Sequence, residues 1–216
     1  MVLTVFTLSI WLARTYVVIL LILAIYFCRR PYNPVYMRTF PIYCLGNLLS
    51  EIFAIAFPQK IDLIYSLFTC FELVYFAYFL TTVTVTVWLK RFVWILVGLC
   101  LGFLSILLYR QDLGHVNLWA SLLESIILVI PCLSYFHGIF LRKHVVNLPQ
   151  EPSFWMVTGV LFYMFLQIPV VLFASYGLHH LSDEFALELY SGNNYALIVT
   201  YTLFIKAMTC RRKIYH

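Results

Sequence analysis

The sequence predicts an all-α, polytopic membrane protein with seven transmembrane helices. Of its 216 residues, 63% are hydrophobic and 11% are charged, about half the charged fraction usual in soluble domains. Seven long apolar stretches alternate with short polar gaps, and lipid cannot satisfy exposed backbone N–H and C=O groups, so such stretches form helices. Because a span takes roughly 20 residues, residues 1–216 make a single seven-helix transmembrane domain with no room for a soluble one.

The predicted spans follow the apolar stretches in chain order: Val5–Phe27, Thr39–Phe57, Leu63–Leu80, Phe92–Leu108, Val116–Phe140, Phe154–Ser175 and Tyr190–Cys210. Pro131 and Pro169 are expected to kink the fifth and sixth helices. Residues Thr81–Trp88 alternate like a strand, but we interpret them as an extension of the third helix. His179–Glu188 is interpreted as a solvated polar loop rather than as a Zn²⁺ site.

The basic residues predict the orientation, because lysine and arginine are retained in the cytoplasm during insertion. The even gaps hold only Lys60 and Arg110, so the N-terminus is expected outside and the C-terminus inside. The net charge of +5 then reflects topology and attraction to anionic lipid, not nucleic-acid binding. The odd gaps and the tail hold the residues expected to contact a protein partner: Arg29, Arg30, Arg38, Lys90, Arg91, Arg142, Lys143, Arg211, Arg212 and Lys213.

Five polar residues inside the spans are the candidate ligand- or proton-binding site. At about 1.5 Å per residue they lie roughly 10–14 Å below the outer boundary. An ionised group facing lipid costs at least about 2.5 kcal/mol, so this polar layer is expected to face one cavity inside the bundle. Its members are Arg14, Glu51, Glu72, Glu124 and Gln167, with Asn47 and Tyr163 at helical spacing beside them.

Two interpretations of this polar layer compete. It forms a functional cavity, or it only fixes helix packing, since interhelical hydrogen bonds contribute about 0.6 kcal/mol on average. Glu72 is the strongest single candidate because aromatic residues surround it, and Glu51 is the weakest because it lies nearest the surface.

No catalytic or cofactor-binding pattern accompanies the polar layer. The sequence contains no HExxH, GxSxG or P-loop motif, so no enzyme activity and no resident metal are expected. Lys206 lies about 12 Å below the acids, too far for a retinal Schiff base, and is expected to reach the inner headgroups. Gly98 and Gly102 form a GxxxG step, which allows a homo-oligomer but more often serves packing within one chain.

The stretch Leu122–Phe173 resembles a set of small seven-helix proteins from the Bacteroidota lineage. It contains a helix with a central Glu, a basic loop, a Pro–x–Phe–Trp helix start and a Gly–x–Leu–x–Tyr step. Similar helices form the input half of sensor kinases, which implies a sensory role and a bacterial inner membrane. Since no kinase or other output domain is expected beside the seven spans, a signal would pass to a separate cytoplasmic or membrane partner.

Three functions therefore remain as expectations. The first is a receptor-like sensor that binds a ligand or proton in the outer polar cavity and signals through the basic residues. The second is a proton-coupled transporter or channel, which would need polar groups continuing to the cytoplasm; the inner half is mainly aliphatic and aromatic. The third is a structural subunit of a larger membrane complex.

Overall fold

The computed structural model describes residues 2–28, 34–84, 86–109, 113–141, 148–180 and 183–210. Within them the chain is all-helical, as predicted, and two short 3₁₀ turns at Pro58–Lys60 and Leu148–Gln150 precede α3 and α6. The seven helices are α1 Val2–Cys28, α2 Val35–Ala56, α3 Ile61–Val83, α4 Val87–Tyr109, α5 Leu113–Phe140, α6 Pro152–His180 and α7 Asp183–Thr209.

Six helices, α1 to α6, are long and apolar enough to cross a membrane. This makes the chain a multi-pass membrane protein. The seventh helix is 27 residues long but carries Asp183, Glu184 and Glu188 in its first half and is not among the six. It nevertheless packs as part of the helix bundle, against α1 and α6. The Asn194 amide donates a hydrogen bond to Ser9 Oγ of α1 at 3.1 Å.

Two predicted boundaries are wrong. Helix α6 continues to His180 and α7 begins at Asp183, so the predicted loop His179–Glu188 is mostly helical. Helix α7 begins at Asp183, within the acidic segment predicted to be a loop. Polarity alone was therefore a poor guide to the end of the helix.

The threonine-rich segment after α3 is helical only in part. Helix α3 extends to Val83, as predicted, but Thr84 is extended with φ −83° and ψ 137°, and α4 begins at Val87. The Thr84 hydroxyl still donates back to the Leu80 carbonyl at 2.7 Å. The turn between α3 and α4 therefore lies inside the segment expected to be continuous helix.

Six helices form a ring in the order α1, α2, α3, α5, α6, α7, and α7 returns to α1. Helix α4 lies outside this ring, packed on α3 and α5. Short connections make successive helices antiparallel, so the ends alternate between two faces. The face that contains Cys28, Val83, Val87 and Thr209 is here called the basic end, because the described basic residues Arg38, Lys90 and Arg91 lie near it. The other face is the opposite end.

Helix α4 buries a single face, formed by Leu89, Val93, Val97, Cys100 and Leu104. Gly98 and Gly102 lie on its exposed face, where an added Cβ would meet no described atom within 4 Å. The GxxxG step therefore does not serve packing within the described chain, contrary to its commoner use. Its role in a homo-oligomer stays a prediction.

Candidate functional site

Helices α2 and α3 hold the first buried carboxyl group. Glu72 lies at the midpoint of α3 and is 8% exposed. The Tyr43 hydroxyl of α2 donates a hydrogen bond to Glu72 Oε1 at 2.7 Å. The Tyr43 ring is fixed in turn, because it stacks on Tyr75 at 5.1 Å and contacts Phe76 at 4.9 Å between centroids. Glu72 is thus anchored to a rigid donor.

One helical turn along α2 from Tyr43, Asn47 links the same region to α7. Its side-chain amide donates to the Tyr201 hydroxyl at 2.7 Å, and both side chains are buried. This contact ties α7 across the ring to α2. It brings the Tyr201 hydroxyl one helical turn of α2 from Tyr43.

Helices α5, α6 and α7 contribute three buried oxygens of a different kind. Glu124 is 1% exposed and Gln167 is 9% exposed. The Oε1 atoms of both, and Oδ1 of Asn193, have no hydrogen-bond partner among the described residues. Buried polar atoms are otherwise nearly always hydrogen-bonded. This side of the ring interior therefore presents unused acceptors.

Tyr163 of α6 connects the two sides. Its hydroxyl lies near Glu72, Glu124, Tyr201 and the Asn193 side chain, and Gln167 follows it by one helical turn. Glu72 and Glu124 also lie near each other. The group formed by these side chains is here called the central cluster: Tyr43, Asn47, Glu72, Glu124, Tyr163, Gln167, Asn193 and Tyr201.

Arg14 does not neutralise the buried acids, as a single shared cavity would require. Its Nε donates to Glu51 Oε2 at 2.9 Å, and the two side chains are 29% and 23% exposed. Tyr65 donates to the other oxygen, Glu51 Oε1, at 3.4 Å. The pair lies between α1 and α2, one turn beyond Asn47 toward the opposite end. Neither Glu72 nor Glu124 forms an ion pair within the part of the chain that the structure describes.

A layer of buried aromatic rings closes the cluster toward the basic end. Phe40, Phe76 and Phe204 are each no more than 2% exposed. Phe204 contacts Phe40 edge-on at 5.5 Å and Phe76 at 6.0 Å between centroids. Each ring lies about one turn nearer the basic end than Tyr43, Glu72 and Tyr201, respectively. These three rings are here called the aromatic seal.

The seal depends on a glycine of α6. An added Cβ at Gly159 would lie 2.8 Å from Phe204 Cε1 and 3.4 Å from Leu203 Cβ. Real Cβ atoms do not approach a ring that closely, so the absence of a side chain at Gly159 allows Phe204 to enter the ring interior.

The predicted partner-contact residues fall only in part within the described chain. Arg38 and Arg91 are exposed at the basic end, and Lys90 is half-buried there. Lys206, expected near the inner headgroups, lies close to the same end with its Nζ 6.0 Å from the Trp155 ring centroid. The remaining predicted contacts lie outside the described residues: Arg29, Arg30, Arg142, Lys143, Arg211, Arg212 and Lys213.

Three members of the central cluster were missed by sequence reasoning: Tyr43, Tyr201 and Asn193. Tyrosine counts as apolar in span prediction, so neither tyrosine appeared as a polar interruption. Tyr43 precedes Asn47 by one turn on a polar helix stripe, a signal that could have identified it. The adjacent asparagines Asn193 and Asn194 could have identified the third.

Among the described residues, no group of three or more His, Cys, Asp or Glu side chains is placed to hold a metal ion. Comparison with known proteins adds no assignment: the chain matches no protein-family model, no curated protein and no solved structure. The resemblance to small Bacteroidota membrane proteins therefore stays a prediction.

Proposed function

We propose that the chain is an integral membrane receptor-like sensor whose ligand site is the central cluster. The observation that carries the proposal is the set of three buried, unpaired acceptors: Glu124 Oε1, Gln167 Oε1 and Asn193 Oδ1. An unsatisfied buried polar group costs about 1–3 kcal/mol. A ligand that brings hydrogen-bond donors would recover that cost, which gives the site a driving force for binding.

The unpaired atoms also favour a class of ligand. All three are oxygens, two from amides and one from a carboxyl group, and Arg14 is already occupied by Glu51. The unpaired oxygens need hydrogen-bond donors, and the Glu124 carboxyl group favours a positive charge beside it. A small cation with N–H donors supplies both. We therefore propose an ammonium ion or a small primary amine.

The aromatic seal supports a binding site over a conduction path. Conduction across a membrane requires polar or water-lined groups along the whole path. Phe40, Phe76 and Phe204 instead fill the ring interior between the cluster and the basic end. A ligand held above the seal would act on the helices rather than pass between them.

The signal would leave through α5 and α6. These helices carry Glu124, Tyr163 and Gln167 in the cluster and contain Pro131 and Pro169 within their length. A proline removes a backbone hydrogen bond and gives a helix a point of bending. Bending there would move the basic end, where the Arg91 side chain is exposed to a partner.

Seven spans with the N-terminus outside, in a bacterial inner membrane, are part of the proposal. Support comes from α7, which closes the ring between α1 and α6 and at about 40 Å is long enough to cross a bilayer. Alkaline phosphatase and green fluorescent protein fused to the C-terminus test the topology. A fluorescent, phosphatase-inactive fusion is expected, and the reverse would overturn it.

Thermal unfolding of the purified protein tests the ligand site. Ammonium and methylammonium chloride are expected to raise the unfolding temperature, because binding to the folded state alone stabilises it. Tetramethylammonium, which has no N–H donor, serves as the matched salt and is expected to have no effect. The shift should vanish in Glu124→Gln and persist in Glu51→Gln. An equal shift from all three salts, or none from any, would contradict the proposed ligand class.

A proton-coupled transporter is the second candidate. The observation in its favour is that two buried carboxyl groups, Glu72 and Glu124, interact electrostatically, as acids in a proton relay do. Proteoliposomes under an imposed potential and pH gradient separate the two functions. The sensor predicts no proton flux; flux that disappears in Glu72→Gln would establish the transporter instead.

A further inference from the structure

A small cavity lies at the basic end, about two helical turns from the central cluster along α2 and α7, between the ends of α1, α2, α6 and α7. Its volume is about 10 Å³, roughly the space that one water-sized occupant needs. Ala24 of α1 and Ala207 of α7 line it and are each 1% exposed. Their small side chains leave this space where the two helices meet.

Residues that contain sulfur are frequent in the lining of this cavity. Half of the eight lining residues carry it, contributed by three different helices or their ends: Cys28, Met37, Met208 and Cys210. Met37 and Met208 are 5% and 6% exposed, and both cysteines are half-exposed and reduced. Among the residues that the structure describes, no carboxylate or imidazole lines the cavity. The set is thus two thioethers in the interior and two thiols nearer the surface.

The thiols make only weak contacts. Cys28 Sγ donates to the Ile25 carbonyl at 3.1 Å and Cys210 Sγ donates to the Pro149 carbonyl at 3.4 Å. The cysteine S–H group is a weak donor, so little is lost when either contact is broken. Both sulfurs are therefore available to bind a metal as thiolates.

We propose that this cavity, formed by Cys28, Met37, Met208 and Cys210, is a binding site for a soft monovalent metal ion, Cu(I). Thiolate and thioether ligands together select Cu(I), and harder divalent ions prefer nitrogen or oxygen. On binding, each coordinating thiol releases its proton to solvent and forms a metal–sulfur bond. Copper enters and stays as Cu(I), so no electron is transferred. The proposal is independent of the proposed sensor function.

Anaerobic titration of the full-length protein with Cu(I), in competition with the chelator bicinchoninate, tests the site. One Cu(I) per chain is expected. Cys28→Ser with Cys210→Ser should weaken binding by more than about tenfold, since outer-shell changes alone cost 10–100-fold. Met37→Leu with Met208→Leu keeps the side-chain volume and should also weaken it. The matched control, Cys70→Ser with Cys100→Ser, should bind as the wild type does.

X-ray absorption of the copper complex gives a second measurement that does not depend on a variant folding. A first shell of three or four sulfur atoms is expected. Nitrogen or oxygen ligands, unchanged affinity in the methionine variant, or equal losses in the control variant would each overturn the site.

Discussion

Glu72 and Glu124 occupy the same buried cluster and differ in what surrounds their oxygens. Glu72 accepts a 2.7 Å hydrogen bond from Tyr43, whose ring is held by two aromatic neighbours. Glu124 is more deeply buried, yet its Oε1 has no partner among the described residues. A buried carboxyl group with a hydrogen-bond donor stabilises the fold, whereas one without a donor lowers the free energy of unfolding. We therefore expect Glu72 to be chiefly structural, and in the proposed sensor Glu124 is the acid that binds the ligand.

Replacing each acid by leucine gives the largest expected contrast. Glu72→Leu leaves the buried Tyr43 hydroxyl unpaired, so the free energy of unfolding should fall by up to about 3 kcal/mol. Glu124→Leu removes an unpaired oxygen and should leave the free energy of unfolding unchanged or higher. Titration of the folded protein in mixed micelles with sodium dodecyl sulfate measures both.

Adding Tyr43→Phe to Glu72→Leu is the control for that contrast, because replacing both partners by apolar groups can be nearly neutral. Recovery of most of the lost stability is expected. Equal losses from Glu72→Leu and Glu124→Leu would remove the distinction between the two acids.

The aromatic seal beneath both carboxyl groups gives the next largest effect. Gly159→Ala places a Cβ against the buried Phe204 ring and should cost about 1–2 kcal/mol of unfolding free energy, within the range for overpacking. Gly98→Ala is the matched change, since an added Cβ there meets nothing within 4 Å, and helix propensity favours alanine. A Gly159→Ala variant as stable as Gly98→Ala would show that the seal is loosely packed.

The Asn47–Tyr201 hydrogen bond should contribute less than the bond to Glu72, although it is equally short. Neutral interhelical hydrogen bonds in membranes average about 0.6 kcal/mol. A double-mutant cycle with Asn47→Leu and Tyr201→Phe measures the coupling. A coupling above that of Tyr43 and Glu72 would move the main structural anchor from α3 to α7.

The smallest effect is expected at the Arg14–Glu51 pair, which is partly exposed. Ion pairs that water reaches contribute about 0–1 kcal/mol and weaken as salt rises. If water reaches this pair from the opposite end, Glu51→Gln should change the free energy of unfolding slightly at low salt and less at high salt. A loss as large as that of Glu72→Leu would contradict the separation of this pair from the central cluster.

The sequence was sufficient for the helical class and for most helix positions, because a bilayer imposes length and apolarity on every span. It also identified Glu72, Glu124 and Gln167 as inward-facing, since lipid excludes such groups. It could not separate Glu72 from Glu124: whether a carboxyl group has a donor depends on Tyr43, and tyrosine was counted with the hydrophobic residues when the spans were predicted. The pairing of Arg14 with Glu51 alone likewise depended on the order of helices around the ring.

One part of that order, the position of α4 outside the ring, could have been predicted from the sequence. Helix α4 carries only Ser105 as a polar residue between its glycines and its end, and the structure places it outside the ring. A helix without a polar stripe has no side chains that must be shielded from lipid, so it can lie outside the ring. The sequence did not indicate that α6 continues past Ser175 or that α7 begins before Tyr190. Acidic residues at the start of a helix resemble those of a loop.

The peripheral position of α4 has a consequence for the biogenesis of the protein. Helices α3 and α5 are neighbours in the ring and must run in the same direction, which two consecutive spans cannot do without a return crossing between them. Helix α4 supplies that crossing. If α4 were deleted, α5 would directly follow α3 and would run antiparallel to it. Glu124 would then no longer lie at the same depth as Glu72. A helix that contributes no side chain to the central cluster therefore determines, during insertion, whether the cluster can assemble at all.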